Sequence, residues 1–262
     1  MASEQRLSLA PAQWGEFEIR GPVHLFRERL IMRSFKPMLA PNAQVIDAGC
    51  GSGSLALDLC RAGYKVQAVE QAAEFVKNLE SQISALGLET ALSVRQGSVT
   101  QLPCATASAD GLVCGEVLEH VVPDLGGDKA AVAEFYRVLK PGAPCIASVP
   151  LNPKLWDHSD AWAGHVKRYT PDEFVTLFKA AGFAVERVRF WGFPLGRLYH
   201  RFFFAPWLRR TAAAPDQRQA RLDTKAAGNR YLAGWAAGIL RFDELFGRWP
   251  LGRGMVLCAR RN

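Results

Sequence analysis

Asp47-Ala48-Gly49-Cys50-Gly51-Ser52-Gly53 is the stretch of this 262-residue chain whose residue types and spacing point most directly to chemistry. An apolar run ends at Ala48 and a helical pattern starts at Ser54, so the three glycines turn the chain between a buried strand and a helix. Glycine lets the backbone turn sharply and approach a ligand closely, and the amides at a helix start suit an anionic group. A dinucleotide loop reads G-x-G-x-x-G, with an acid about twenty residues later. Here the glycines follow G-x-G-x-G and the acid, Asp47, precedes them, which counts against a nicotinamide oxidoreductase. A second acid, Glu70, closes the next strand seventeen residues after Gly53. Five histidines complete the reactive inventory: His24, His120, His158, His165 and His200.

The elements that position these groups alternate in type. Gln44–Ala48, Lys65–Glu70, Ala91–Gln96, Asp110–Cys114, Pro144–Val149, Ala184–Trp191 and Gly254–Arg260 read as strands. Ser54–Ala62, Ala72–Leu86 and Lys129–Leu139 read as helices, and a further helix runs from Pro171 to Ala181, with Thr170 as N-cap and Pro171 at its first position. This alternation predicts an α/β, doubly wound, mostly parallel seven-stranded sheet whose last strand is antiparallel. A single domain is expected, with an N-terminal helical segment over 1–43, a core over 44–191, a helical insertion over 192–253 and the last strand over 254–262. The insertion is expected to break near Pro206, Pro215 and Gly228.

The glycine loop and the strand before it resemble the D-x-G-x-G-x-G site of class I S-adenosylmethionine-dependent methyltransferases. The segment Glu116-Val117-Leu118-Glu119-His120-Val121 is similar to the E-V-L-E-H-V stretch of the ubiquinone-biosynthesis O-methyltransferases and their small-molecule relatives. The resemblance implies that the chain binds S-adenosylmethionine and releases S-adenosylhomocysteine. It assigns the amino-acid end of the cofactor to Asp47, Gly49, Cys50, Gly51 and Gly53, and the ribose hydroxyls to Glu70, with Gln71 beside it. Gly97, Ser98 and Val99 fall at the adenine, with Ser98 where the family often has aspartate. Gly115 and Glu116 fall beside the cofactor, and Arg29 at the spacing of an arginine near it, with Arg27 adjacent.

Methyl transfer from a sulfonium is an in-line displacement in which the protein aligns the partners and activates the acceptor. A phenol, enol or amine needs a base, and histidine, with an ordinary pKa of about 6.5, suits that work. His165 in the G-H-x-x-R-Y-T pattern is the first candidate base and His158 the second; bracing of the loop is the alternative use of His165, Arg168 and Tyr169. No metal is expected. Were one bound, Glu116 and His120, four apart on a helix, would converge on it, with Asp157 or His158 to complete the set, whereas the adjacent Glu119 and His120 would diverge.

Apolar residues make up 49% of the chain, enough for a sizeable core. Met1–Gln13 shows no secretory pattern, no run spans a bilayer, and the six cysteines form no C-x-x-C pair, so a cytoplasmic protein with reduced thiols is expected. Lys and Arg are concentrated late: 15 against 4 acids from Arg187 to Asn262, and 17 against 21 before it. The 190–210 segment mixes aromatics with arginines, which fits a cap over a hydrophobic acceptor, packing on the sheet, a dimer interface or peripheral contact with an anionic membrane. A base-stacking module and an N-P-P-Y-type strand ending are absent, which counts against nucleic acid as the substrate. The expected activity is methyl transfer, O-methylation first, to a small aromatic or hydrophobic acceptor; a membrane-associated accessory protein and an RNA or protein methyltransferase are the alternatives.

Overall fold

The computed structural model of the chain describes residues 21–212 and 230–262. Its strands are β1 (Gln44–Ala48), β2 (Lys65–Glu70), β3 (Leu92–Gln96), β4 (Gly111–Gly115), β5 (Pro144–Pro150), β6 (Phe183–Trp191) and β7 (Gly254–Arg261). They form one seven-stranded sheet in the order β3-β2-β1-β4-β5-β7-β6. The first five pair in parallel, while β7 runs antiparallel to both β5 and β6. Strand order reverses between β1 and β4, and the crevice beyond the carboxyl ends of a sheet at such a point is where this architecture takes ligands.

Side-chain alternation divides the sheet between two helical layers. Leu112, Cys114, Cys145, Ala147, Met255 and Leu257 face one side, under Phe135 and Val138 of α4 (Gly127–Val138) and Phe174 and Phe178 of α6 (Pro171–Ala180). Val113, Ile146, Val256 and Cys258 face the other. There they meet Phe26, Ile31 and Phe35 of α1 (Pro22–Phe35), Leu59 of α2 (Ser54–Arg61) and Leu79 of α3 (Ala73–Leu86). Covered on both faces, β4 and β5 must be apolar at consecutive positions, which is how they read. The six cysteines are free; Cys104 is half-buried and the others are buried, and burial pushes the thiols of Cys60, Cys104, Cys114, Cys145 and Cys258 upward.

The punctuation signals act locally as their chemistry dictates. Thr170 and Glu173 form a capping box ahead of Pro171, and Gly87 closes α3 in the left-handed conformation at φ 64°. Two segments depart from the pattern expected of the sequence. The 151–169 connection contains a short helix, α5 (His158–Ala163), started by a second capping box between Asp157 and Asp160. Leu118–His120 is a single 3₁₀ turn, and α4, expected from Lys129, begins at Gly127.

The insertion forms α7 (Leu195–Tyr199), a π-turn (His200–Phe204), α8 (Ala205–Ala212) and α9 (Arg230–Ile239), which runs into a 3₁₀ segment, Leu240–Phe246. Pro206 does not break it. It sits in the first turn of α8, where the lost N–H is least needed, after a π-turn that shifts the hydrogen-bond register. The breaks expected at Pro215 and Gly228, and the N-terminal stretch before residue 21, lie outside the described residues. Asp243, almost fully buried, accepts from the Leu195 and Gly196 amides at 2.8 Å each and so ties the two ends of the insertion together. Arg29 Nη1 donates to the Gly234 carbonyl at 3.3 Å, fastening α9 to α1. Among the described residues no helix is long and apolar enough to cross a membrane.

Gly53 is the tightest joint of the first turn. Its φ is +82°, and a Cβ there would lie 2.4 Å from Cδ1 of Leu79, a fully buried side chain. The left-handed backbone costs a non-glycine residue about 1–2 kcal/mol and the overpacking about 1–3 kcal/mol more. Gly53→Ala is therefore expected to lower the urea midpoint by a matching amount. The double variant with Leu79→Ala should lose less than the sum of the two, because the second change removes the clash but not the strain.

Candidate active site

The glycine loop leaves β1 at Asp47, which is almost fully buried, and turns back over β2. The amides of Gly49 and Cys50 both donate to the Val69 carbonyl, at 2.8 and 3.0 Å. Gly49 has φ +77°, and a Cβ on it would fall 2.5 Å from Val117, so the loop rests against the segment after β4. Glu70 sits at the end of β2. Its Oε2 accepts from the Gly51 amide and its Oε1 from the Ala72 amide, each at 2.9 Å. Each oxygen retains a second lone pair for a ligand hydroxyl. Gln71 gives its carbonyl to Gln96 Nε2 at 3.1 Å, and the Gly97 amide donates to the Glu70 carbonyl at 2.9 Å, which brings the β3 turn alongside. Ser98 spends its hydroxyl in that turn, on Thr100 Oγ1 at 2.8 Å and the Thr100 amide at 3.2 Å, while Val99 is buried below it.

Beyond β4, Gly115 is followed by Glu116, which is held at φ +58°. Its amide donates to the Ser148 carbonyl at 2.9 Å and its Oε1 accepts from Ser148 Oγ at 2.9 Å. A positive φ on glutamate is strained and persists only when its surroundings over-determine it. The arginine of α1 that meets this group is Arg27, whose Nη1 lies 3.6 Å from Glu116 Oε2. Arg29, the residue expected there, is exposed and turned toward Gly234. Two positions along a helix rotate a side chain by about 200°, so Arg27 and Arg29 leave α1 on different faces. Arg27 Nη2 also lies 3.3 Å from His24 Nδ1, and Glu28 beside it bonds His24 and Ser54 at the start of α2. Burial pushes Glu28 upward, but the bonds from His24 and Ser54 and the charge of Arg27 hold it below the usual carboxylate range.

The third constellation lies where the 3₁₀ turn meets the connection after β5. His165 Nδ1 is 2.8 Å from Asp160 Oδ1. Asp160 is fully buried, which favours its neutral form, yet it also accepts from Arg168 Nε at 2.7 Å and from the Asp157 amide at 2.8 Å. These bonds outweigh burial and hold its pKa down to about 2. An ionised Asp160 must accept, so Nδ1 of His165 carries a proton toward it. Nε2 of His165 lies 3.8 Å from Oε1 of Glu119. The Glu119 carboxylate is fully buried and receives no hydrogen bond among the described residues. Burial, and then the neighbouring charge of Glu116, push its pKa well up. His120 packs edge-on against His165 at 4.8 Å, and its Nδ1 lies 3.2 Å from the Gly164 carbonyl. Burial, with the nearby His165, depresses its pKa to about 3, so it is neutral.

Ligand atoms of Glu119, His120 and His165 all lie within 4.8 Å of one another, close enough to share a cation. Helical spacing predicts a different set, Glu116 with His120. The positive φ of Glu116 sends its carboxylate to Arg27 and Ser148, and the 3₁₀ turn lets Glu119 and His120 converge. Asp157 is engaged elsewhere: it caps α5, accepts from Ser159 Oγ at 2.6 Å and lies 3.5 Å from His200 Nε2. His158, the second candidate base, opens α5 with its ring 4.0 Å from Asp157 and stands outside the Glu119–His165 group. Two members of the network, Asp160 and His200, have no role that the sequence assigns them. The D-x-x-D spacing of the second capping box is a readable signal for Asp160; nothing in the chain's local pattern marks His200 among the five histidines.

His200 reaches from the π-turn into this network, 3.1 Å from Ser159 Oγ. Burial and the charge of Arg253 lower its pKa to about 4. The fold thus holds a neutral imidazole that in the unfolded chain titrates near 6.5. Its stabilising contribution is complete above about pH 6.5 and is lost as pH falls toward about 4. The urea midpoint of the protein should therefore drop between pH 7 and 5, and His200→Gln should flatten that part of the profile.

Residues 46–147 match the family model described as a methyltransferase domain. The ubiquinone biosynthesis O-methyltransferase of Xanthomonas oryzae pv. oryzae (strain PXO99A) is 36% identical over 145 residues, which cover 54% of this chain and 57% of that relative. The protein of the same name from Sodalis glossinidius (strain morsitans) is 32% identical over 166 residues, covering 61% and 64%. The chain thus spans less than two thirds of the length of these curated relatives. Among solved structures, the [4+2]-cyclase SpnF superposes with a TM-score of 0.64 at 18% identity, over 95% of this chain and 85% of that one. Geranyl diphosphate C-methyltransferase from Streptomyces coelicolor A3(2) gives 0.58 at 13% identity, over 90% and 79%. Neighbours with a cyclase among them speak for the fold and not for one reaction. With the glycine loop and the sheet order, the match over residues 46–147 makes this part of the chain similar to S-adenosylmethionine-dependent methyltransferase domains.

Proposed function

We propose that the chain transfers the methyl group of S-adenosylmethionine to a hydroxyl of a small aromatic or hydrophobic acceptor. The observation that carries this reading is the His165 imidazole, held by Asp160 through Nδ1 with its Nε2 beside Glu119 in the turn that follows β4. The acceptor oxygen attacks the methyl carbon, the carbon–sulfur bond breaks, S-adenosylhomocysteine leaves, and the acceptor proton passes to Nε2 of His165. Asp160 stabilises the imidazolium that results, the division of labour by which a buried carboxylate supports a histidine base. The curated relatives are named for O-methylation in ubiquinone biosynthesis, which favours a phenolic or quinol acceptor. Asp47 would meet the cofactor's ammonium and Glu70 its ribose hydroxyls.

The orphaned Glu119 carboxylate favours a second reading of the same site. Buried carboxylates are kept with a partner, and this one has His165 and His120 within reach. A divalent cation held by these three would supply a Lewis acid that lowers the pKa of an acceptor hydroxyl. In that reading His165 is a ligand and not the base.

Calorimetry with S-adenosylmethionine and S-adenosylhomocysteine, with NADH as control, tests the cofactor. Both sulfur ligands should bind and NADH should not. Glu70→Ala and Asp47→Ala should each weaken binding about tenfold or more, the worth of a charged hydrogen bond; unchanged affinity in both would remove this site. A screen of phenols and quinols by methyl transfer then tests the acceptor. His165→Gln should leave cofactor affinity intact and lower kcat by about 10²–10⁴. Loss of turnover on chelation, restored by a divalent cation and absent in Glu119→Gln, would decide for the metal.

A further inference from the structure

Among the described residues, nine of the thirteen large apolar side chains left exposed lie between 195 and 251. They are ordered. Trp235, Ile239, Phe242 and Leu245 follow one another at steps of three and four along α9 and its 3₁₀ continuation, and Trp249 follows in the turn beyond it. That spacing puts the first four on one stripe of a single rod, with Trp235 exposed to 70% and Leu245 to 69%. The opposite stripe, Ala237, Leu240 and Asp243, is buried. The rod therefore buries one stripe against the protein and turns a second, apolar stripe away from it. Leu198, Phe202 and Phe203 add a second exposed group on α7 and the π-turn, with Phe203 exposed to 68%.

The charges around these groups have one sign. Over 192–253 the sequence holds eleven Lys and Arg against four acids. Arg201, Arg209, Arg210, Arg241 and Arg248 are exposed. Of the two acids among the described residues of the insertion, Asp243 is buried against the Leu195 and Gly196 amides, and Glu244 is paired with Arg33 and Arg241. Glu244 and Gly247 also line a groove with Arg33, Arg187 and Arg189. A water-facing surface has no use for such an apolar stripe. A second copy of the chain seated symmetrically on it would bring arginines against arginines. An anionic bilayer satisfies both features at once, because the acyl boundary takes the aromatics and the headgroups take the guanidinium groups.

We propose that the insertion, through α7–α8 and the α9 rod, docks the protein on an anionic lipid bilayer. The inference does not depend on the methyl-transfer reading, and binding to lipid is measured separately from binding to the cofactor. The experiment is co-sedimentation of the full chain with phosphatidylcholine vesicles, with and without phosphatidylglycerol, at low and high salt. The wild-type chain should partition at least about tenfold better to the anionic vesicles, less so in high salt, with a blue shift of tryptophan emission on binding. A Trp235→Ser, Phe242→Ser, Leu245→Ser variant should lose about tenfold in partitioning. Arg209→Glu with Arg210→Glu should lose as much, while circular dichroism melts and cofactor affinity stay at wild-type values in both variants. Equal partitioning to the neutral and anionic vesicles, or variants that partition like wild type, would overturn the proposal. So would a concentration-dependent dimer in size exclusion that the serine variant abolishes, since the stripe would then be an interface between copies.

Discussion

A carboxylate that is fully buried must be neutralised or surrounded by donors, and the way Asp160 meets that demand organises the acceptor side of this protein. It accepts from Arg168, from His165 and from the Asp157 amide. The last bond is half of the capping box that allows α5 to form at all. The first pins Arg168, whose Nη1 then holds the Leu151 carbonyl at the end of β5. The second sets the tautomer of His165. Remove the charge at Asp160 and a helix start, a strand end and the orientation of the imidazole lose their common support.

A second junction joins the cofactor side to the N-terminal helix. Glu70 ties the glycine loop to the start of α3, and the Arg27–Glu116 and Glu28–Ser54 contacts lay α1 across the loop's other side. The insertion then bridges the two halves. Arg29 and Arg33 of α1 hold α9 and the segment after it, while His200 of the π-turn reaches the capped end of α5. A sixty-residue addition far from the glycine loop in sequence is thus in contact with both walls of the crevice. Its position explains why α1 carries arginines on more than one face.

The sheet is legible in the chain because its signals are local. β1 and β2 begin and end where the apolar runs say, and the remaining strands are displaced by a residue. Thr170-Pro171 and Gly87 carry their cap chemistry in their own side chains or in the lack of one. The glycine loop and Glu70 belong with these signals, since each sits at a strand end whose position the pattern already marks. The misreadings fall where helical periodicity has no start or stop signal to support it. A helix beginning at Glu116 would make Glu119 and His120 diverge. A left-handed Glu116 and a 3₁₀ turn bring them together instead. Arg27 and Arg29 are not separable in the sequence because α1 has no strict apolar stripe to set its rotation.

What lies within reach of neighbouring residues can be read from the chain: strand alternation, caps, tight turns and the spacing of acid to glycine. These depend on backbone sterics and on side chains within a few positions of one another. What joins residues 40 or 200 positions apart cannot, because it depends on which helix face the core selects. His165 meets Glu119 and His120, and His200 meets Ser159, only after the sheet has brought the connections after β4, β5 and β6 to one edge. The same holds for the outward stripe of Trp235, Ile239, Phe242 and Leu245. Its spacing is present in the sequence, yet only packing against α1 shows which face is buried and which is left exposed.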